Sequence, residues 1–191
     1  MSAFFRLYLA LSLLLLRVAA QSLSVSSVGV IGTGCEPGTA AVDVDNAANK
    51  IRVRVNDFSA KGGPGVAISE NRRNCQVTLG VKVPAGYSFS VDNAVVRAAY
   101  SASSGTRLVS SSTAYFQGEL QECSGTSVVN GPVSRGESTL VNNLSPARWS
   151  PCGSSTVVNI NTDVRVDTTG QSSGSISVNG VWESNIVWRK C

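Results

Sequence analysis

Between residues 75 and 83 every second side chain is apolar: Cys75, Val77, Leu79, Val81 and Val83 alternate with Gln76, Thr78, Gly80 and Lys82. A two-residue period sends the two sets to opposite faces of an extended strand, so this segment offers one face to a core and the other to water. The same period sets Ile51, Val53 and Val55 against Arg52, Arg54 and Asn56. A Val42-Asp43-Val44 run precedes them through Asp45-Asn46-Ala47-Ala48-Asn49, the layout of a hairpin with an Asx-rich loop. Further on, Val158 and Ile160 continue into Val164 and Val166 around Asn161-Thr162-Asp163. Ile176 and Val178 precede a turn signal at Asn179-Gly180, and a last strand runs from Val181 to Arg189.

Apolar residues at helical spacing are nearly missing after residue 20, where Ser, Thr, Val, Asn and Gly dominate. Many short strands separated by turn signals predict an all-β chain folded as an antiparallel, Greek-key-like β-sandwich, with a closed barrel as the runner-up. The Ser/Thr-rich pieces 101–104, 110–113 and 172–175 read as loops, and none is long enough to link two domains. No internal repeat is visible.

The chain opens with Arg6, the apolar run from Leu7 to Leu16, and Val18-Ala19-Ala20 before Gln21, which is the layout of a secretory signal cleaved after Ala20. An apolar run of about 10 residues is half of the roughly 20 that a transmembrane helix needs. The expected organisation is a signal peptide over 1–20 and one secreted domain over 21–191, with no membrane partner after cleavage. Losing Arg6 and Arg17 takes Lys+Arg from 16 to 14 against 12 Asp+Glu, so the formal charge falls from +4 to +2. Such a balance, with its basic residues scattered, lacks the concentrated basic face that nucleic acid requires. About 170 residues suffice to bury a core of ordinary size.

All five cysteines, Cys35, Cys75, Cys123, Cys152 and Cys191, follow the signal and so enter an oxidising compartment. Two bridges and one free thiol is the natural count, and spacing alone leaves fifteen arrangements open. Cys35 with Cys75 and Cys152 with Cys191 is the working pairing. With no histidine and no Cys-x-x-Cys pair in the chain, a metal site is not expected, and neither is a cofactor.

The lack of histidine also excludes serine hydrolases that use an imidazole base, and no Ser-x-x-Lys or nucleophile-elbow motif replaces it. Copper sites built on imidazole fall for the same reason. Glycoside hydrolysis would need two facing carboxyls, for which Asp57, Glu70, Asp92, Glu119, Glu122, Asp163 and Glu183 are the candidates, though they form no motif. Asp43, Asp45 and Asn46 offer oxygen ligands for a hard cation, but Asx residues also gather at hairpin ends to satisfy turn backbone. Among the aromatics, Trp182 and Trp188 stand in phase on one strand and are expected to pack inward, whereas Tyr100 and Tyr115 remain candidates for ligand contact. Asn143-Leu144-Ser145 is a glycosylation sequon, followed at once by Pro146.

Five blocks together point to a family: Gly34-Cys35-Glu36-Pro37-Gly38, Asn71-Arg72-Arg73-Asn74-Cys75-Gln76, Trp149-Ser150-Pro151-Cys152-Gly153, Asn159-Ile160-Asn161-Thr162 and Trp188-Arg189-Lys190-Cys191. In order and spacing they resemble the fungal secreted proteins grouped as domain of unknown function 4360, over essentially the whole mature chain. The resemblance implies a secreted β-rich domain with four shared cysteines, here Cys35, Cys75, Cys152 and Cys191. It leaves Cys123 as this chain's own addition, and it brings no established activity. Around Val95-Val96-Arg97-Ala98-Ala99-Tyr100 the chain departs from the Tyr-Arg-Gly-Tyr look of its relatives. Arg72, Arg73 and Arg97 are candidates for a shared basic cluster, against the ordinary alternative that arginines on a sandwich face pair with acids and cover apolar surface.

The function these residues favour is a non-enzymatic extracellular binding or cell-surface interaction module, with a cell-wall polysaccharide or an extracellular protein as partner. The alternatives are a carbohydrate-active enzyme using paired carboxylates, and a structural wall component that links chains through an exposed Cys123.

Overall fold

Strands β1 (Ser24–Ile31), β5 (Arg72–Lys82), β7 (Thr106–Phe116), β8 (Cys123–Asn130) and β10 (Ser155–Thr168) make one antiparallel sheet in the order β1-β5-β10-β7-β8. Strands β2 (Ala40–Asp45), β3 (Lys50–Val55), β6 (Tyr87–Ala102), β9 (Val133–Asn143) and β11 (Gly174–Lys190) make the other in the order β2-β3-β11-β6-β9, with the short β4 (Ser59–Gly62) also paired to β11. The computed structural model describes residues 21–191, so the expected signal peptide lies outside the described residues. Among those described, no helix is long and apolar enough to cross a membrane.

The two sheets pack face to face as a β-sandwich, and the inward set of each alternating strand makes the core. Val77, Leu79 and Val81 of β5 share one buried core cluster with Val53, Val96 and Trp182 of the other sheet. Phe89 and Phe116, one from each sheet, close the layer edge-to-face with ring centroids 5.3 Å apart. Trp182 is fully buried, and Trp188 is half-buried against the same core while its Nε1 donates to Asn49 Oδ1 at 2.9 Å. A closed barrel does not form. At the β8–β9 edges the sheets are joined by Ser124 N donating to Ser145 O, Ser145 N to Ser124 O, and Ser127 Oγ to Val141 O, with no continuous ladder between those strands.

The Asx-rich hairpin forms as expected between β2 and β3, where Asp45 Oδ1 accepts from Ala48 N and Asn49 takes a left-handed conformation. Four expectations need correction. Asn179-Gly180 is not a turn between strands: β11 runs on from Gly174 to Lys190, and the pair sits in a bulge where its register against β6 shifts between Val178 and Trp182. Gly180, with φ of 72°, supplies the left-handed residue that bulge needs. Residues 110–113 are not a loop but the middle of β7, Ser101 and Ala102 are the end of β6, and Gly174 and Ser175 already belong to β11. In β7 the hydroxyls of Ser110 and Ser112 point inward and find partners there, which is what lets serine occupy a buried strand position.

Cys35 is bonded to Cys75 with their Cα atoms 5.3 Å apart, and Cys152 to Cys191 at 6.2 Å. The first bridge ties the segment after β1 to the start of β5. The second ties the β9–β10 connection to the C-terminus, at the opposite end of the sandwich. Cys123 is free and buried, its Sγ donating to Ala114 O at 3.3 Å. Burial pushes its thiol pKa up.

Candidate functional site

At the end of the sandwich held by Cys35–Cys75, three connecting pieces surround a cavity of about 350 Å³. The first is the segment after β1. Gly34 donates its N–H to Asn74 O at 2.8 Å, and a Cβ at that position would lie 2.3 Å from the Phe58 ring, so only glycine fits. Thr39 then folds the chain back, with its N–H and Oγ1 both donating to Glu36 O. The second piece is the β3–β4 connection, where Phe58 plugs into the core and leaves Asp57 outward, accepting from Ser59 Oγ at 3.1 Å. The third is the 3₁₀ turn Ile68–Glu70 leading into β5, where Arg73 Nη1 donates to Ser69 O at 3.2 Å.

These pieces bring Glu36, Asp57 and Glu70 to the same cavity as Lys61 and Arg73. Carboxylates accept hydrogen bonds from ligand hydroxyls, and ammonium and guanidinium groups donate to ligand oxygens. The cavity therefore suits a hydroxyl-rich ligand held by polar contacts, and no aromatic ring lines it. Of the acids named from the sequence, only Asp57 and Glu70 share it. Glu36 and Lys61 were not singled out, although the glycine-rich run around Cys35 marks the loop that carries Glu36.

The other acids are dispersed. Asp163 is buried and paired with Arg72 Nε at 3.1 Å, and Glu183 is held between Lys50 and Arg52 at 2.8 and 2.9 Å. Asp92 accepts from Asn93 Nδ2, and Glu119 belongs to a different cavity, beside Trp149, at the other end of the sandwich. Asp45 is taken by Arg52 at 2.7 Å and by Ala48 N, while Asn46 exchanges hydrogen bonds with both backbone groups of Leu23. Their polar side chains serve the hairpin and the first strand. The described residues contain no cluster of three metal-ligating side chains.

The structure separates the arginines expected to form one basic cluster. Arg72 lies on the outer face of the five-stranded sheet, Arg73 turns into the sandwich-end cavity, and Arg97 lies on the outer face of the six-stranded sheet. Arginines 72 and 73 are adjacent on one strand and so point to opposite faces. The tyrosines are separated as well. Tyr115 pairs with Asn159 in the first sheet, while Tyr100 in the second lies over Gly136 with its hydroxyl donating to Ser138 Oγ at 3.1 Å. Asn143 is exposed at the end of β9.

An uncharacterized secreted protein of Arthroderma benhamiae is 30% identical over 177 residues, which cover 87% of this chain and 72% of that protein. Among solved structures, TmCBM61 in complex with beta-1,4-galactotriose matches 83% of this chain and 88% of its own at 12% identity and a TM-score of 0.29. A non-crystalline cellulose specific carbohydrate-binding module, CBM28, matches 78% and 82% at 15% identity and a TM-score of 0.32. Likeness at this level says nothing about a ligand. Residues 21–191 match the family described as Domain of unknown function (DUF4360), and the chain belongs to that family as a secreted, disulfide-bonded β-sandwich protein.

Proposed function

We propose that the protein is a non-enzymatic extracellular binding module for a hydroxyl-rich polymer such as a cell-wall polysaccharide, which it grips at the sandwich-end cavity. The observation that carries this reading is the meeting of Glu36, Asp57, Glu70, Lys61 and Arg73 in one open polar cavity. These residues come from three chain segments, the first of which, carrying Glu36, is anchored to β5 by the Cys35–Cys75 bridge, an arrangement that fixes donors and acceptors without a covering lid. A rigid β-scaffold presenting polar groups from its connecting loops is how many folds host binding.

The experiment is sedimentation of the purified mature protein with insoluble chitin, β-glucan and cellulose, against a control protein. Selective, saturable sedimentation is expected for one of the three, and Asp57→Ala/Arg73→Ala should abolish it. Sedimentation with none, or sedimentation unchanged in the double variant, overturns the reading. Because Asp57 and Glu70 share the cavity, reducing-end release from the bound polymer is measured in the same tubes. No release is expected, and release lost on Asp57→Asn would replace the binding reading with a hydrolytic one.

A further inference from the structure

The outer face of the six-stranded sheet carries two guanidinium groups that the fold leaves without an acid. Arg54 on β3 pairs in register with Val181 on β11, and Arg97 on β6 lies opposite the bulge at 179–181 on the other side of the same strand. The two arginines thus flank Val181 from strands about 10 Å apart, a span their stems can close from both sides. Both are exposed, and among the described residues neither has a carboxylate within ion-pair distance.

The row beside them is arranged differently. Arg52, two residues from Arg54, is bonded to Glu183 and Asp45, and Glu183 also holds Lys50. Glu183 is therefore already shared by two cations and is not left to neutralise the pair. Two like charges around one apolar residue repel one another, and the nearest carboxylate, Glu183, lines the same depression but is bonded to Lys50 and Arg52 and to neither arginine of the pair. The register of β11 against β6 shifts at this level, and a depression of about 280 Å³ lies there, lined by the two arginines, Val95, Asn179 and Val181 and by the bonded pair Arg52 and Glu183.

We propose that this depression is a second binding site, which takes the carboxylate of a uronate residue in an acidic polysaccharide. A guanidinium fork matches a carboxylate in shape and charge, so Arg54 and Arg97 hold that group from both sides. The apolar CH face of the sugar ring rests on Val95 and Val181, and Asn179 reaches its hydroxyls. This site is on a sheet face and the sandwich-end cavity is on connecting loops, so neither reading depends on the other.

The test is titration calorimetry of the mature protein with oligogalacturonate and with oligomannuronate, alongside the methyl esters of both, neutral dextran and dextran sulfate. At least one acid oligomer should bind, its methyl ester about tenfold or more weakly, and higher salt should weaken the acid form only. Arg54→Gln/Arg97→Gln should lose at least the same tenfold, whereas Asp57→Ala/Arg73→Ala should keep uronate binding intact. No binding of either acid oligomer, equal binding of acid and ester, or a preference for dextran sulfate overturns the proposal. Should the arginine variant fail to fold, the acid-to-ester ratio on the native protein still decides. Loss of polymer sedimentation in the cavity variant alone bears on the other site and not on this one.

Discussion

Arg52 Nε lies 2.9 Å from Glu183 Oε1, joining the second strand of the N-terminal hairpin to the C-terminal strand across 131 residues of chain. Lys50 reaches the other carboxyl oxygen at 2.8 Å. The Lys50 ammonium foremost, and the Arg52 guanidinium after it, hold the Glu183 carboxyl below its ordinary value of 4.5. A carboxyl whose pKa falls on folding contributes stability above its unfolded value and loses it as pH drops through the folded one. Glu183→Gln should therefore lower the urea midpoint at neutral pH by an amount equivalent to about 1 kcal/mol or less, and the gap to wild type should close as pH falls below 4.5. A gap that stays constant down the acid limb would assign the loss to packing instead. Asp45 shifts the same way, first through the Ala48 N–H and then through Arg52, and adds to the same acid limb.

Cys123 is 1% exposed and gives its thiol hydrogen to Ala114 O, so the idea of a wall component cross-linked through this residue loses its mechanism. Non-reducing electrophoresis should show the same single monomer band for wild type and Cys123→Ser. A thiol reagent should label less than a tenth of the native protein in the time that labels the urea-unfolded chain fully, since both burial and a raised pKa keep the thiolate scarce. A wild-type dimer that vanishes in the variant would restore the cross-linking reading.

The two disulfides close loops of similar length, with separations of 40 and 39 residues, so removing either should cost about 3–4 kcal/mol of stability. Their effects on ligand should differ. Cys35→Ala/Cys75→Ala frees the loop that carries Glu36 and should weaken polymer sedimentation several-fold. Cys152→Ala/Cys191→Ala acts at the far end and should leave sedimentation of the folded fraction unchanged. Chemical denaturation followed by the sedimentation assay under native conditions reads both quantities, and equal ligand effects from the two variants would dissociate the cavity from its anchoring bridge.

The sandwich was legible in the sequence because its strands announce themselves locally: Cys75 to Val83 and Ile51 to Val55 alternate by two, and Asp45 to Asn49 carries its own turn chemistry. Asn179-Gly180 misled because the same residues serve turns and bulges, and only the partner strand β6 decides between them. The cavity was legible in fragments. Asp57 and Glu70 were candidates as acids, but Glu36 and Lys61 join them only through a register between segments tens of residues apart. Arg72 and Arg73 look like a cluster on paper, and the strand's own period sends them to different surfaces.

Residues 110–113 were misread for a related reason, and they carry the last prediction. Asn142 of β9 is fully buried and donates through Nδ2 to Ser110 Oγ at 3.0 Å and Ser112 Oγ at 2.9 Å, while Ser112 meets Thr162 Oγ1 at 3.0 Å. The serines belong to one sheet and Asn142 to the other, so this network pins the sheets together inside an apolar layer. Removing one partner from a buried network leaves the remainder unpaired, whereas replacing Asn142 and both serines together leaves only the Thr162 hydroxyl without its partner. Asn142→Leu should thus cost about 2–3 kcal/mol in urea unfolding, and adding Ser110→Ala and Ser112→Ala to it should return part of that loss. Single Ser110→Ala should cost about 1 kcal/mol or less, because Asn142 keeps Ser112. Strictly additive losses across these variants would mean that the hydroxyls act one by one, and that β7 and β9 are held in place by apolar packing alone.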